Sequence, residues 1–216
     1  MRHDCLIFDL DGTISDPGTG IVRSINYALT EHGFEVRPGE EIARLIGLPL
    51  DEMFERLLGE PGRQEGPTLV QKYRERYIGV GYRENVLYEG VSEFLRQAHQ
   101  RAEQRLGICT SKRADVAEKV LDMFELRIFF DFVSGGDIGI EKSQQLQQLL
   151  GSGTITGRSL MIGDRFIDLV AAHRNGLQAA AVLWGYGSRQ ELEEENPEYV
   201  LECPTQLKTL AVPLES

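Results

Sequence analysis

Two aspartates two positions apart, Asp9 and Asp11, end a short apolar run near the start of the chain. Because side chains two apart in an extended segment face the same way, both carboxylates would point toward one place. Two carboxylates at one site repel each other, so the pair either raises the pKa of one of them or recruits a hard cation. A third carboxylate, from Asp164 or Asp168, favours the cation, and Mg²⁺ held by oxygen ligands is the natural choice.

Groups suited to binding an anion stand beside this aspartate pair. Gly12 gives the chain a permissive backbone for turning away from the strand, and Thr13 with the amides after it can donate to an anion. Further along, Thr110 and Ser111 follow a second apolar run, and Lys142 precedes a helical stretch. In open α/β sheets ligands bind outside the carboxyl ends of the strands, so we expect these side chains to line one site.

The second half of the chain alternates between short apolar runs and helical periods. Such alternation predicts right-handed crossovers and a doubly wound parallel sheet of the α/β class. We predict strands at residues 5–8, 106–109, 132–134, 160–162 and 179–183, and helices at residues 91–102, 114–123, 143–150 and 167–174.

The segment from residue 15 to residue 85 has a different pattern. Apolar residues recur there at helical spacing, with turn-forming clusters between them, and nothing is typical of a strand. We predict helices at residues 17–33, 42–45, 50–58 and 69–78, and turns at residues 38–39, 47–49 and 61–67. The sequence therefore predicts an α/β core domain, residues 1–14 and 86–216, with an all-helical domain, residues 15–85, inserted after the first strand.

Composition limits the partners of this 216-residue chain, whose net charge is −11. A negative field of this size repels nucleic-acid backbones and anionic lipid, so we expect neither nucleic acid nor membrane as a partner. An anionic small substrate is still compatible, because a metal ion and a few local donors reverse the sign within one pocket. The three cysteines form no CxxC or Cys/His array, and the N-terminus does not have the pattern of a signal peptide. We expect a cytoplasmic protein.

Each of these motifs is common by itself. An isolated D-x-D pair is usually a solvated turn or a calcium loop, and an isolated lysine is usually solvated. The EF-hand pattern requires glycine at its sixth position, and counting from Asp9 that position holds Ile14. The interpretation as one site therefore depends on the joint placement of the motifs at successive strand ends.

Four motifs together resemble the haloacid dehalogenase-like superfamily of Mg²⁺-dependent phosphohydrolases: segment 8–13, Thr110-Ser111, Lys142, and segment 163–168. Further segments, at residues 16–21, 46–50, 73–77 and 184–188, are similar to its phosphoglycolate phosphatase and bacterial 5'-nucleotidase branch. The resemblance covers nearly the whole chain. It implies a Rossmann-like core and identifies the insertion as a C1-type cap that closes over the site.

The resemblance also implies roles for individual residues. Asp9 would be the nucleophile that accepts the phosphoryl group as an aspartyl-phosphate. Asp11 would protonate the leaving alcohol and then activate water, and two such carboxyl groups are what a two-step displacement requires. Asp9 and Asp164 would ligate Mg²⁺ through their side chains, and Asp11 through its carbonyl oxygen. Asp168 would anchor a water ligand of the metal or orient the lysine.

Thr110 and Lys142 would hold the non-bridging phosphate oxygens, and Lys142 would also neutralise the crowded carboxylates. Lys112, two residues beyond Thr110, is an alternative phosphate-binding lysine. We favour Lys142 because it opens a helix, where its ammonium and the backbone amides converge on an anion.

Substrate choice is expected to lie in the inserted segment, where Arg44 and Arg74 are candidates to meet a substrate carboxylate or base, together with Tyr73 and Tyr77. The leading hypothesis is a phosphomonoesterase acting on a small phosphorylated metabolite, phosphoglycolate or a nucleoside monophosphate, as a monomer or homodimer. The alternatives are a phosphosugar mutase of the same fold and a non-catalytic module that binds phosphate or Mg²⁺. A mechanism in which a cap lysine forms an imine with a phosphonoaldehyde would be possible only through Lys72.

Overall fold

The computed structural model describes residues 3–100, 104–137 and 139–211 of the chain. Within them lie eight strands: β1 (Cys5–Phe8), β2 (Ser15–Asp16), β3 (Val86–Leu87), β4 (Arg105–Thr110), β5 (Phe132–Gly135), β6 (Leu160–Gly163), β7 (Gln178–Val182) and β8 (Tyr199–Leu201). Nine α-helices accompany them: α1 (Gly18–Glu31), α2 (Gly39–Ala43), α3 (Leu50–Leu58), α4 (Glu60–Gly79), α5 (Val91–His99), α6 (Ala114–Met123), α7 (Lys142–Gly151), α8 (Phe166–Arg174) and α9 (Arg189–Glu194). Short 3₁₀ turns lie at Gly81–Arg83, Arg127–Phe129 and Pro204–Thr209.

Six of the strands form one sheet in the order β5-β4-β1-β6-β7-β8, and every neighbouring pair in it is parallel. The order reverses at β1, which is the arrangement of a Rossmann-like doubly wound sheet. The predicted fold class is therefore confirmed. The outermost strand, β8, was not predicted, because three residues at a sheet edge carry too little periodicity to be distinguished from a loop.

Alternation along β1 explains why the sheet is buried on both faces. Leu6 and Phe8 join the apolar cluster on one face, and Cys5 and Ile7 join the cluster on the other. All four are at most 2% exposed. Complete burial of such side chains is worth about 1.5–3 kcal/mol each, which holds the strand that carries Asp9 and Asp11 rigidly in place.

Helices α1 to α4, which lie between β1 and β4 in sequence, pack around an apolar cluster of their own that includes Ile25, Phe54 and Tyr77. Two short antiparallel strands, β2 and β3, join this insertion to the rest of the chain, with Ser15 opposite Leu87. The expectation that residues 15–85 contain no strand was therefore wrong at Ser15–Asp16. A strand of two residues is too short to show an alternation of apolar and polar residues in the sequence. Only its pairing with a partner strand identifies it.

The predicted turn at residues 61–67 was also wrong, because this segment forms the first two turns of the twenty-residue helix α4. Pro61 stands in the first turn, where a helix makes no use of the missing N–H. Pro67 lies inside the helix. Gly62 allows the helix to approach α3 closely, because a Cβ there would lie 2.1 Å from the carbonyl oxygen of Phe54. The free energy gained by packing against α3 thus outweighs the free-energy cost of Pro67 inside the helix.

The other predicted elements of the sheet, and the helices α6, α7 and α8, begin and end within one residue of the observed bounds. Helix α5 ends at His99, and the predicted end at residue 102 lies outside the described residues. In the described part of the chain, no helix has the length and apolar character needed to cross a membrane.

Candidate active site

Strand register brings the predicted motifs to one edge of the sheet. Phe8 lies opposite Ile108 of β4 and Ile162 of β6, and the amide of Asp9 donates to the carbonyl of Ile162 at 2.9 Å. The residues that follow on each strand therefore leave the sheet side by side, at the point where the strand order reverses.

Three buried carboxylates meet at this edge. Asp9, Asp164 and Asp168 each offer an oxygen within 4.8 Å of the others. The ammonium of Lys142, at the start of α7, donates to Asp9 Oδ1 at 2.8 Å and also contacts Asp168 Oδ1. The lysine and both aspartates are at most 4% exposed in their side chains. Although burial opposes it, the charges of Asp168 and Asp9 raise the pKa of Lys142, so the lysine is a cation here.

Asp164 is held by two donors. The Thr13 hydroxyl donates to Oδ1 at 3.2 Å, and the amide of Tyr186 donates to Oδ2 at 2.8 Å. Gly12 makes room for this carboxylate: its φ is +89°, and a Cβ there would lie 2.1 Å from Asp164 Oδ2. Gly12 and Thr13 therefore support a carboxylate rather than line the cleft.

The charges of this cluster do not balance within the described residues. Three carboxylates face the single ammonium of Lys142, which leaves two negative charges in excess. Burial, followed by the charges of Asp9 and Asp168, raises the pKa of Asp164 well above its ordinary value. Burial, only partly offset by Lys142, raises the pKa of Asp168 to about 6. Hard carboxylate oxygens with this excess charge fit a divalent cation of the Mg²⁺ type.

Asp11 lies apart from this cluster and pairs with a different lysine. Lys112 Nζ lies 2.7 Å from Asp11 Oδ2, and their side chains are 8% and 12% exposed. The second oxygen, Oδ1, is buried and has no hydrogen-bond partner among the described residues. Burial raises the pKa of Asp11, and the Lys112 charge acts in the opposite direction.

A cleft opens between the sheet edge and the inserted helices, and its space, counted together with the open solvent at its mouth, is about 770 Å³. Asp9, Asp11, Thr110, Ser111 and Lys112 form its floor on the sheet side. Residues of the insertion form the opposite wall, which is mainly apolar: Ile21, Leu48, Pro49, Leu50, Met53, Tyr73, Tyr77 and Ile78. A mainly apolar cleft with a few charged and hydroxyl groups at its floor suits a small organic ligand.

The family is decided by a comparison with protein-family models. Residues 6–182 match the model of the haloacid dehalogenase-like hydrolases. The chain belongs to this family. The resemblance found in the sequence is confirmed, and the protein is an enzyme of this hydrolase family.

Relatives of known name are similar along most of the chain. A 5'-nucleotidase of Pseudomonas aeruginosa is 33% identical over 91% of this chain and 90% of its own length. The tyrosine-protein kinase PtkA of Mycobacterium tuberculosis is 29% identical over 93% of this chain and 69% of its own. A phosphoglycolate phosphatase of Aquifex aeolicus is 28% identical over 95% of both chains.

A solved structure agrees over the whole fold. A predicted phosphatase from Clostridium acetobutylicum superposes with a TM-score of 0.90, at 26% identity, over 97% of this chain and 98% of that one. The α/β architecture of this chain thus agrees with a solved structure over nearly its whole length.

In this hydrolase fold, the structure gathers most of the predicted site residues. Thr110 ends β4 at the cleft, where its hydroxyl accepts the amide of Lys112 at 3.2 Å. Arg74 also lines the cleft, but its guanidinium donates to Asp137 at 2.6 Å across from the insertion to the core. Arg44 is exposed and is not part of the cleft lining, so it is not brought to the site. Lys72 is half-buried and pairs with Glu75 at 2.9 Å.

Two contacts of the site had no signal in the sequence. Lys112 reaches Asp11 instead of the lysine site beside Asp9. Arg165 donates to the carbonyl of Ile46 and, at 2.9 Å, to Glu191, so it ties the insertion to the core. The one sequence feature that pointed to Arg165 was its position directly after Gly163-Asp164. Because arginines are common at protein surfaces, a cation at that position does not predict this contact.

Proposed function

We propose that this enzyme is a Mg²⁺-dependent phosphomonoesterase that hydrolyses a small phosphorylated metabolite through an aspartyl-phosphate on Asp9. The observation that carries the proposal is the environment of Asp9. It lines the cleft, one of its oxygens is held by Lys142, and it lies within reach of two further carboxylates suited to a cation. Asp11, two residues on, lines the same cleft.

In the first step, a carboxylate oxygen of Asp9 bonds to phosphorus and the ester P–O bond breaks. The leaving alkoxide takes a proton from Asp11, whose raised pKa favours the protonated form that can donate. In the second step, Asp11 accepts a proton from water, the water oxygen bonds to phosphorus, and the acyl-phosphate bond breaks. Inorganic phosphate leaves, and Asp9 returns to its carboxylate form.

Lys142 and Thr110 hold the site together during both steps. The Lys142 ammonium restrains Asp9 and balances part of the negative charge of an arriving phosphate. The Thr110 hydroxyl lies at the cleft floor, and in this proposal it donates to a phosphate oxygen. Mg²⁺ would be held by Asp9 and Asp164, with Asp168 beside them and the Asp11 carbonyl as predicted, and it would neutralise charge on the phosphoryl group.

The relatives named 5'-nucleotidase and phosphoglycolate phosphatase support nucleoside monophosphates and phosphoglycolate as first candidates for the substrate. We also propose that residues 15–85 act as a cap domain. Its wall of the cleft faces the catalytic carboxylates, and the β2–β3 ribbon marks where it leaves and rejoins the core.

The test is phosphate release from p-nitrophenyl phosphate with Mg²⁺, comparing the wild type with Asp9→Asn. Asp9→Asn keeps the size of the side chain and removes the nucleophile, so we expect activity to fall by at least about a thousandfold. Asp115→Asn, at an exposed position on α6, is the matched control and is expected to keep full activity. Activity in Asp9→Asn equal to that of the wild type contradicts the mechanism.

The assay contains neither a bisphosphate activator nor a nucleotide. Phosphate release under these conditions therefore separates hydrolysis from mutase chemistry and from transfer out of a nucleotide. No release by the wild type, from this substrate or from a panel of metabolites, would favour a binding module.

A further inference from the structure

A continuous stack of side chains runs from the inserted helices to Asp11. The rings of Tyr73 and Tyr77, both on α4, stack with centroids 5.2 Å apart and planes 13° apart. The Lys112 ammonium lies 4.5 Å from the centre of the Tyr77 ring and donates to its hydroxyl at 3.1 Å. The same ammonium contacts Asp11 at 2.7 Å. Lys112 thus has one partner in the insertion and one in the core.

The base of this lysine is also fixed. Its amide donates to the Thr110 hydroxyl at 3.2 Å, and its carbonyl accepts the amide of Gly136 at 3.0 Å. A lysine anchored at both its backbone and its ammonium has little freedom to move. Its ammonium is therefore a fixed point for whichever carboxylate oxygen it holds.

The ammonium holds Oδ2 of Asp11, and this contact determines which oxygen remains available, namely Oδ1. A carboxylate with two free oxygens rotates about its last side-chain torsion, and either oxygen can meet a substrate. With Oδ2 held, Oδ1 is the oxygen left buried and without a partner among the described residues, and so the one available to carry a proton. Restricting a catalytic group to one orientation removes an entropic part of the barrier.

We propose that Lys112 is a positioning residue for Asp11: with Tyr77 of the insertion holding its ammonium, it fixes Oδ2 so that Oδ1 exchanges the proton. This rests on the proposed function. When the ester P–O bond breaks, the proton on Oδ1 passes to the leaving oxygen, while Oδ2 keeps its contact with the ammonium. Lys112 itself forms and breaks no covalent bond.

The test uses two substrates that differ in their need for a proton. p-Nitrophenolate leaves without protonation, whereas the alkoxide of p-nitrobenzyl phosphate needs a proton as it leaves. The parameter is kcat/KM, which reports the steps up to formation of the aspartyl-phosphate and not its hydrolysis. For Lys112→Met we expect kcat/KM to fall about 10–100-fold with p-nitrobenzyl phosphate and less than about threefold with p-nitrophenyl phosphate.

Two further variants complete the experiment. Lys119→Met makes the same change of charge at an exposed position on α6, and its kcat/KM is expected to match the wild type with both substrates. Tyr77→Phe keeps the ring beneath the ammonium and removes only the hydroxyl. It is expected to lower kcat/KM at least about threefold with the benzyl substrate alone. It also carries the test if Lys112→Met does not fold, which circular dichroism would show.

Each other outcome has a distinct meaning. An equal fall with both substrates would show that Lys112 acts on the phosphate itself, and unchanged values in a folded Lys112→Met would show a structural role. Either result overturns the proposal while the wild-type activity still supports the phosphatase. Absence of turnover by the wild type instead removes the proposed function, and this inference with it.

Discussion

Replacing Lys142 by methionine is expected to destabilise the fold in a manner that depends on both metal and pH. The ammonium contacts Asp9 and Asp168, and all three side chains are almost completely buried. Methionine fills similar space, so the change mainly removes the charge. Loss of one partner of a buried ion pair costs about 3–5 kcal/mol, because the remaining charges have no compensation. For a chain of 216 residues this corresponds to a fall in Tm on the order of 10 °C.

The assay is thermal unfolding of wild type and Lys142→Met at pH 7, in EDTA and in excess Mg²⁺. We expect the full difference in EDTA and a smaller one in Mg²⁺, since a divalent cation neutralises the same carboxylates. At pH 5 the difference in EDTA is expected to shrink, because burial raises the pKa of Asp168 to about 6 and protonation removes one of the repelling charges. Lys119→Met is the control for loss of a positive charge at the surface. A Tm for Lys142→Met equal to that of the wild type in EDTA would refute the reasoning.

Three further predictions follow from the same contacts. Asp164→Ala is expected to raise the Mg²⁺ concentration for half-maximal phosphatase activity at least about tenfold, and an unchanged Mg²⁺ titration contradicts the ligand assignment. Gly163→Ala places a Cβ 2.2 Å from Cγ of Asp168. It is expected to cost about 1–3 kcal/mol in urea unfolding. Gly157→Ala, with open space around it, is the matched control, and equal stability of the two variants rejects the argument. Although burial opposes it, two hydroxyl donors and an arginine hold the pKa of Asp4 below its ordinary value. Asp4→Asn is therefore expected to be about 1 kcal/mol less stable than the wild type at pH 7. The difference should begin to shrink as pH falls below 3.8, the ordinary value for Asp, and vanish below the lowered pKa of Asp4 in the folded protein. A difference that persists there is inconsistent with this account.

The sheet and the carboxyl edge that carries the aspartates could be predicted from the sequence because they depend on strong local signals. Buried parallel strands are short continuous apolar runs, and polar residues directly after them can only lie at the carboxyl edge. Asp9, Thr110 and Asp164 were placed correctly on this basis. The pairing of Lys142 with the aspartates agrees with its expected place near that edge.

The parts that were missed depend on contacts between distant segments. Helix α4 begins at Glu60 and continues through segment 61–67, with its two prolines, because α3 packs against its first turns. No local sequence pattern indicates that packing. Lys112 was weighed only as a ligand for phosphate. Its contact with Asp11 depends on how Tyr77 approaches from the insertion, which is a matter of tertiary packing.

The β2–β3 ribbon has a consequence for how such chains change over time. Because Ser15 pairs with Leu87, the chain departs from the sheet and comes back at neighbouring positions. To the core, seventy or so intervening residues are therefore equivalent to a single hairpin loop, and loops tolerate exchange better than sheets do. An evolving lineage can replace the whole helical insert, and with it the wall of the cleft that faces the aspartates, without disturbing the strands that carry them.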